Sequence, residues 1–253
     1  MSLSAAWAWP TTLFAQDSTY QDTFDKLLFE PPPPKPVIPV APPPPIAYSL
    51  SSFSLQLLPA WSPLPSAELE EARRQMAESD KKTTVEAGFR ITSPDVAGSL
   101  MIWVIDTGGQ IADSEQAEYV KTFEKKFAAS VQSTSSSSTF DAAGHTFSID
   151  ATKTISGSGA ARYICRGYFG SNRLVLLVGC SLQATYDKFA AEFNQVTSSF
   201  HFKEGEDYDP SKASHSFSVK DWTTINFTDK RLIAALIVAI LGLAGAVFRY
   251  FTA

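Results

Sequence analysis

Residues Leu232–Phe248 read LIAALIVAILGLAGAVF, a run of 17 residues with no charge and no strongly polar side chain. An α-helix rises about 1.5 Å per residue, so crossing ~30 Å of hydrocarbon takes about 20 residues. Tyr250 and Phe251 extend the apolar length toward that value, and Lys230, Arg231 and Arg249 flank it. Tyr250 suits an interfacial belt. The expectation is a single membrane-spanning anchor over residues 230–253, carried by Leu232, Ile233, Leu236, Ile240, Leu243, Val247 and Phe248, with the lipid bilayer as partner. The competing reading is a buried core helix of a large soluble protein. Gly242 and Gly245 offer a small-residue surface where a second helix can pack, although their spacing is not GxxxG.

Everything before this anchor is best read as what it holds. A net charge of −5 and a pI near 5.3 leave no electrostatic footprint for nucleic acid, and none is expected as a partner. Residues 1–16, MSLSAAWAWPTTLFAQ, resemble the rear part of a secretory signal, with Leu13-Phe14-Ala15 before Gln16 as a cleavage-type site. The cationic leading segment is missing, as it would be with a start placed too far downstream; a mildly apolar tail is the other reading. Residues 17–47 form a largely disordered arm. Ten of the 16 prolines fall between Pro31 and Pro45. Proline fixes φ and lacks the N–H donor. The run therefore favours polyproline II, a spacer of about 45 Å at ~3.1 Å per residue, or a ligand for a proline-reading groove. Lys230 and Arg231 outnumber Arg249, which would keep the bulk of the chain cytoplasmic. The signal-like segment argues for an extracytoplasmic domain, and that is the orientation expected here.

A folded domain is expected over residues 48–202. Phe53, Leu55 and Leu57 alternate with polar neighbours, the pattern of a half-buried strand, and Pro59, Pro63 and Pro65 end it around Trp61. Residues 67–79 form a helix with acidic residues in its first turn and Ser66 as N-cap. Residues 83–92 and 98–106 read as strands, the second ending in the turn Asp106-Thr107-Gly108-Gly109. A second helix runs from Asp113 to Val131. Val120, Phe123, Phe127 and Val131 form one apolar stripe, and Asp113 with Gln116 suggests a capping box. STSSSST, residues 133–139, reads as a flexible loop. Strands follow, with a turn near Gly144. The clearest hairpin pairs YICRGYF with LVLLVGC across residues 170–173. Setting Phe169 opposite Leu174 places Tyr163, Cys165, Leu176, Val178 and Cys180 on one core face. A last helix covers residues 186–198 with Thr185 as N-cap, and residues 203–229 read as a polar tether.

This order of elements, with SSFSLQLLPAWSPLP, AELEEARRQM, SLMIWVIDTGG and RLVLLVGCSL as its markers, resembles the PsbP-like family over residues 48–202. The resemblance implies an α+β fold with a central antiparallel β-sheet flanked by helices, a PsbP-like α-β-α sandwich. It also implies a non-enzymatic role in binding or assembling other proteins, with no metal-binding residues to transfer.

Tests for chemistry give little. Val104-Ile105-Asp106-Thr107-Gly108 has the form of an aspartic-protease motif, which would need two copies of the chain to pair Asp106 with its twin. The competing reading is a strand-ending turn in which Asp bonds its own backbone. Cys165 and Cys180 lie one diagonal step apart in the hairpin register, ~7–8 Å, which favours free core thiols over a bridge. His145, His201 and His215 have no neighbours at ligand spacing, so no metal site is expected. GSGAAR at residues 157–162 lacks the third glycine of a dinucleotide loop, and no other cofactor motif is present. Lys121, Lys125 and Lys126 read as a solvated helix face.

The sequence thus points to a single-pass membrane protein displaying a protein-binding or assembly domain with no cofactor. The alternatives are a dimeric protease using Asp106 and a structural subunit packing through Gly242 and Gly245. A cysteine placed within residues 133–139 tests the orientation. Labelling by an impermeant maleimide in intact cells is expected for an extracytoplasmic domain, and protection would put the domain in the cytoplasm.

Overall fold

The computed structural model describes residues 44–79, 81–93, 95–155 and 159–212. The signal-like segment, nearly all of the proline-rich arm and the expected membrane anchor, including Gly242 and Gly245, lie outside them. Among the described residues no helix is long and apolar enough to cross a membrane.

The elements run in the order β1 (Ile46–Ser49), β2 (Phe53–Leu57), β3 (Trp61–Pro63), α1 (Ser66–Ser79), β4 (Thr83–Ser93) and β5 (Val96–Asp106). Then come α2 (Asp113–Ser130), β6 (Ser135–Asp141), β7 (Thr146–Ile155), β8 (Gly159–Phe169), β9 (Arg173–Leu182), α3 (Tyr186–Ser198) and β10 (His201–Phe202). Seven strands make one antiparallel sheet in the order β3-β4-β5-β9-β8-β7-β6, and β1-β2-β10 make a second, smaller one. The expected antiparallel sheet with flanking helices is what the chain forms.

The large sheet buries both faces because its central strands are apolar at nearly every position rather than at alternate ones. On one face Trp103, Ile105, Leu176, Cys180, Tyr163 and Phe147 meet α1 and α2, whose Met76, Tyr119, Phe123 and Phe127 point inward. On the other face Leu100, Ile102, Val175 and Leu177 meet α3 and the small sheet through Phe189, Phe193, Phe53 and Leu55. The α2 stripe at spacings of three and four residues is buried as its period requires.

Two glycines decide how α3 sits. A Cβ on Gly98 would lie 2.4 Å from Phe189 Cδ2 and 2.9 Å from the Cys180 carbonyl, and one on Gly179 would lie 2.8 Å from Phe193 Cδ2. Phe189 and Phe193, one turn apart on α3, thus press on bare backbone in β5 and β9. Gly167 plays the same part on the opposite face, where a Cβ would lie 2.2 Å from Phe147.

A bulge in β4 between Val85 and Ala87 turns carbonyls away from the ladder. Arg73 on α1 takes them, with Nε donating to Val85 O at 2.8 Å and Nη2 to Glu86 O at 2.9 Å. This ties α1 to the sheet by a charged donor as well as by Ala72 and Met76.

Several expectations change. Residues 135–139 are strand and not loop. A serine run lacks the apolar alternation that marks a strand, but these serines pair in register with β7 and leave their side chains exposed or half-exposed. Trp61–Pro63 is an edge strand where a bare turn was expected. Ala112, and not Asp113, stands at the N-cap of α2, so no capping box forms; Gln116 donates to Ile111 O at 3.1 Å. Thr185 does precede α3, but its hydroxyl bonds Ala97 O and Ser181 Oγ in place of capping the helix. Residues 203–212, expected to open a polar tether, are folded onto the domain. Ser171 N–H donates to Glu206 O, Asp209 N–H to Gln110 Oε1, and the Tyr208 ring is tilted against His145 with centroids 4.0 Å apart.

Because the contact under α3 has no slack, Gly98→Ala and Gly179→Ala are each expected to cost about 1–3 kcal/mol by overpacking. Phe193→Ala should cost about 3–5 kcal/mol by leaving a cavity. Denaturant unfolding midpoints of the full chain in detergent measure all three, and glycine variants as stable as the parent would contradict the seating described.

Candidate interaction surface

Helix α3 covers β5, β9 and β8, whereas α2 lies over β6 and β7 on the opposite face. The α3 side of β6 carries Ser135, Ser137, Thr139 and Asp141, all exposed. Beside them on the same face, β7 carries Thr146, Asp150 and Thr152, all half-buried, and Ser148, which is buried. Next, β8 presents Arg162, Arg166 and Tyr168, with Arg162 opposite Thr152 and Arg166 opposite Ser148. Strand periodicity sorts these side chains to one face. The result is a field of hydroxyls and two carboxylates, Asp141 and Asp150, bordered by two guanidinium groups.

The border is ordered by hydrogen bonds to α3. Tyr186 donates to Asp150 Oδ1 at 2.6 Å, and the Arg162 guanidinium lies 4.0 Å above the Tyr186 ring and 3.6 Å from the same carboxylate oxygen. The phenol is held protonated well above its usual range, first by burial and then by the Asp150 carboxylate it donates to. Arg166 donates to Asn194 Oδ1 at 3.3 Å. Tyr168 donates to Thr197 O at 2.8 Å and stacks on Phe200, and burial pushes its pKa up to about 12.

The same strand β6 is the last of the large sheet. On its helix side Ser136 and Ser138 donate to the two carboxylate oxygens of Glu124 at 2.9 and 2.5 Å. An edge strand leaves alternate N–H and C=O groups unpaired along its outer side. The opposite edge, β3, is three residues long, ends in Pro63 and is bracketed by Pro59 and Pro65. One edge is blunted by short length and proline, and the other is seven residues of hydroxyl and phenyl side chains closed by a single acid.

The described residues singled out for chemistry sit apart from this surface and form no common site. Asp106 is exposed at the end of β5, where its Oδ1 accepts from Gly108 N–H at 2.8 Å, and Gly108 has φ +67°. That is the geometry of a strand-ending turn. Cys165 and Cys180 are free and buried, opposite Val178 and Tyr163 respectively, and burial raises both thiols. His201 bonds Ser54 Oγ at 2.7 Å, and His145 Nδ1 lies 3.3 Å from Gln116 Oε1 and 3.6 Å from Asp113 Oδ1. His215 lies outside the described residues. Among the described residues no three His, Cys, Asp or Glu side chains gather as a metal would need. Lys121 and Lys125 are exposed on α2.

Sequence reasoning missed this surface. Its signal was present in the alternation of Thr146, Ser148, Asp150 and Thr152 with Phe147, Ile149 and Ala151, which marks a strand with one apolar and one polar side.

No family model and no curated protein matches the chain. Among solved structures it is similar to the solution structure of cyanobacterial PsbP from Synechocystis sp. PCC 6803. That likeness has 12% identity over 66% of this chain and 96% of that one, at TM-score 0.42. It is also similar to the crystal structure of LpqN, involved in cell envelope biogenesis of Mycobacterium tuberculosis, with 10% identity over 63% and 90% of the chains, at TM-score 0.38. A third likeness is to a crystal structure from Bacteroides thetaiotaomicron VPI-5482, with 15% identity over 75% and 74%, at TM-score 0.35. With all three TM-scores below 0.5, the functional reading rests on the chain's own geometry.

The pH dependence of stability follows from the phenols. Tyr163, Tyr168 and Tyr186 all have raised pKa values, burial being the largest cause in each. In the unfolded chain a phenol ionises near 10. The unfolded state therefore releases these protons first, so their contribution is complete below about pH 10 and is lost as pH rises toward 12. Tyrosinate absorbance is expected to lag near pH 10 and then to rise together with loss of the far-ultraviolet signal. Ionisation of every tyrosine near pH 10 with the fold intact would contradict this. Tyr186→Phe, which removes a hydrogen bond to a carboxylate, should cost about 1.5–3 kcal/mol at neutral pH.

Proposed function

We propose that this domain is a non-catalytic protein-binding or assembly module, held at a membrane by one span at Leu232–Phe248 and facing the extracytoplasmic side. The observation that carries the binding role is the long open edge of β6 beside the hydroxyl field, set against the blunted edge at β3. An open strand edge offers main-chain hydrogen bonds to an added strand, and the small side chains beside it offer little steric resistance. The membrane part rests on the uncharged length of residues 232–248 with its cationic flanks. A tethered domain with one open edge suits lateral assembly, because tethering confines encounters to a plane and raises effective concentration.

A photo-crosslinking amino acid at Thr139, in the full-length protein in its native membrane, tests the reading. The expected result is discrete protein adducts from Thr139 and none from the exposed Lys188 on α3. Equal labelling at both positions, or none at Thr139, would overturn it.

A further inference from the structure

We infer that the partner of β6 is β6 of a second copy, joined antiparallel about a two-fold axis through Ser138 to make one continuous sheet across two molecules. This deepens the binding reading above and rests on it.

Edges that are not meant to pair are shortened, charged or proline-bearing. β3 shows two of these devices, and β6 shows none along Ser135–Phe140. The composition of β6, SSSSTFD, is compatible with its own reverse. Centring the two-fold on Ser138 is the register that uses all seven residues. It sets Ser135 opposite the partner copy's aspartate at position 141, Ser136 opposite its phenylalanine at 140, and Ser137 opposite its threonine at 139. Each Asp141 carboxylate, exposed in the single chain, then faces a serine hydroxyl that can donate to it. The two Asp141 carboxylates stand about 20 Å apart at ~3.4 Å per residue and do not meet; the like charges nearest the axis are the two Glu124 carboxylates, each already accepting from Ser136 and Ser138 of its own chain. Ser136, Ser138 and Phe140 lie on the α2 side in both copies, with both serines already held by Glu124. Because the axis runs perpendicular to the sheet, each face continues as itself: the hydroxyl field doubles on one side, and both copies of α2 lie on the other. Such a contact is isologous and closed, so it yields dimers and not filaments.

Single-cysteine variants of the full-length protein in its membrane discriminate this from other partners. Residues directly opposite in an antiparallel pair have Cβ atoms about 4.5–5.5 Å apart, which a disulfide at about 3.5–4.5 Å closes with a small backbone shift. Under mild oxidation Ser138→Cys is expected to give a covalent dimer of twice the chain mass. Ser135→Cys alone, whose own copies would stand about 20 Å apart, should give none, while Ser135→Cys mixed with Asp141→Cys should give a heterodimer. Cross-links should weaken when Ser137→Lys is added, since the two cations stand diagonally across the axis at about 7–8 Å on the same face. A Cys165→Ala, Cys180→Ala background removes the native thiols; if it fails to fold, the native background serves, because both thiols are buried. Equal dimer from Ser135→Cys and Ser138→Cys, or no dimer from Ser138→Cys, overturns the inference. If Ser138→Cys gives no self-dimer while Thr139 photo-crosslinks to a different protein, the self-pairing fails and the binding role stands. If neither forms, both fail.

Discussion

The architecture depends on the seating of two phenylalanines on two glycines. Phe189 and Phe193 are fully buried against backbone that carries no Cβ, at Gly98 in β5 and Gly179 in β9. Burying two aromatic rings contributes on the order of 1.5–3 kcal/mol each relative to exposure. Glycine in a strand costs backbone entropy, and here that cost is offset because the helix approaches closely enough to exclude water from the sheet. With α3 fixed this way, Tyr186 at its start reaches Asp150 and Arg162, and Val196 and Thr197 at its end meet β2 and Tyr168. The small sheet closes over the remaining apolar surface, with Phe53 and Phe200 5.2 Å apart between ring centres.

The same placement leaves β6 and β7 polar on the α3 side. Their apolar residues are spent on the opposite face, under α2, where Phe147 of β7, beside Phe169 of β8, meets the Tyr119 and Phe123 side of the helix. Among the described residues the sheet is therefore covered on both faces at one end and on one face at the other. In an antiparallel sheet this is a stable arrangement, since alternation lets each strand present water with its polar side. The uncovered corner and the open edge coincide, and that coincidence gives the molecule a direction for contact.

Much of the fold was legible because local signals and burial agree. The hairpin register with Phe169 opposite Leu174 follows from the need to place one apolar set on one face, and α3 begins and ends where its 3.6-residue stripe does. Failures came where composition and pairing diverge. Residues 135–139 look like a linker because serine carries no hydrophobic period, yet backbone pairing to β7 needs none. Trp61–Pro63 is hidden by its prolines, which an edge strand tolerates. Residues 203–212 look like a tether because they are charged. They are nevertheless held by side-chain and backbone hydrogen bonds and by one ring, Tyr208, which pack against the hairpin and the start of α2. The interaction surface was legible only in part: the β7 alternation marks a polar side, but a surface is defined by what fails to cover it, and only the three-dimensional placement of α3 shows that.

Cys165 and Cys180 carry a consequence of another kind. Both thiols are fully buried on one face of the large sheet and kept protonated, and disulfide exchange proceeds through the thiolate. The domain is thus redox-silent. It can be made in a reducing compartment, cross into an oxidising one, or remain on either side, with the same covalent structure throughout, and no oxidative folding machinery is needed on the way.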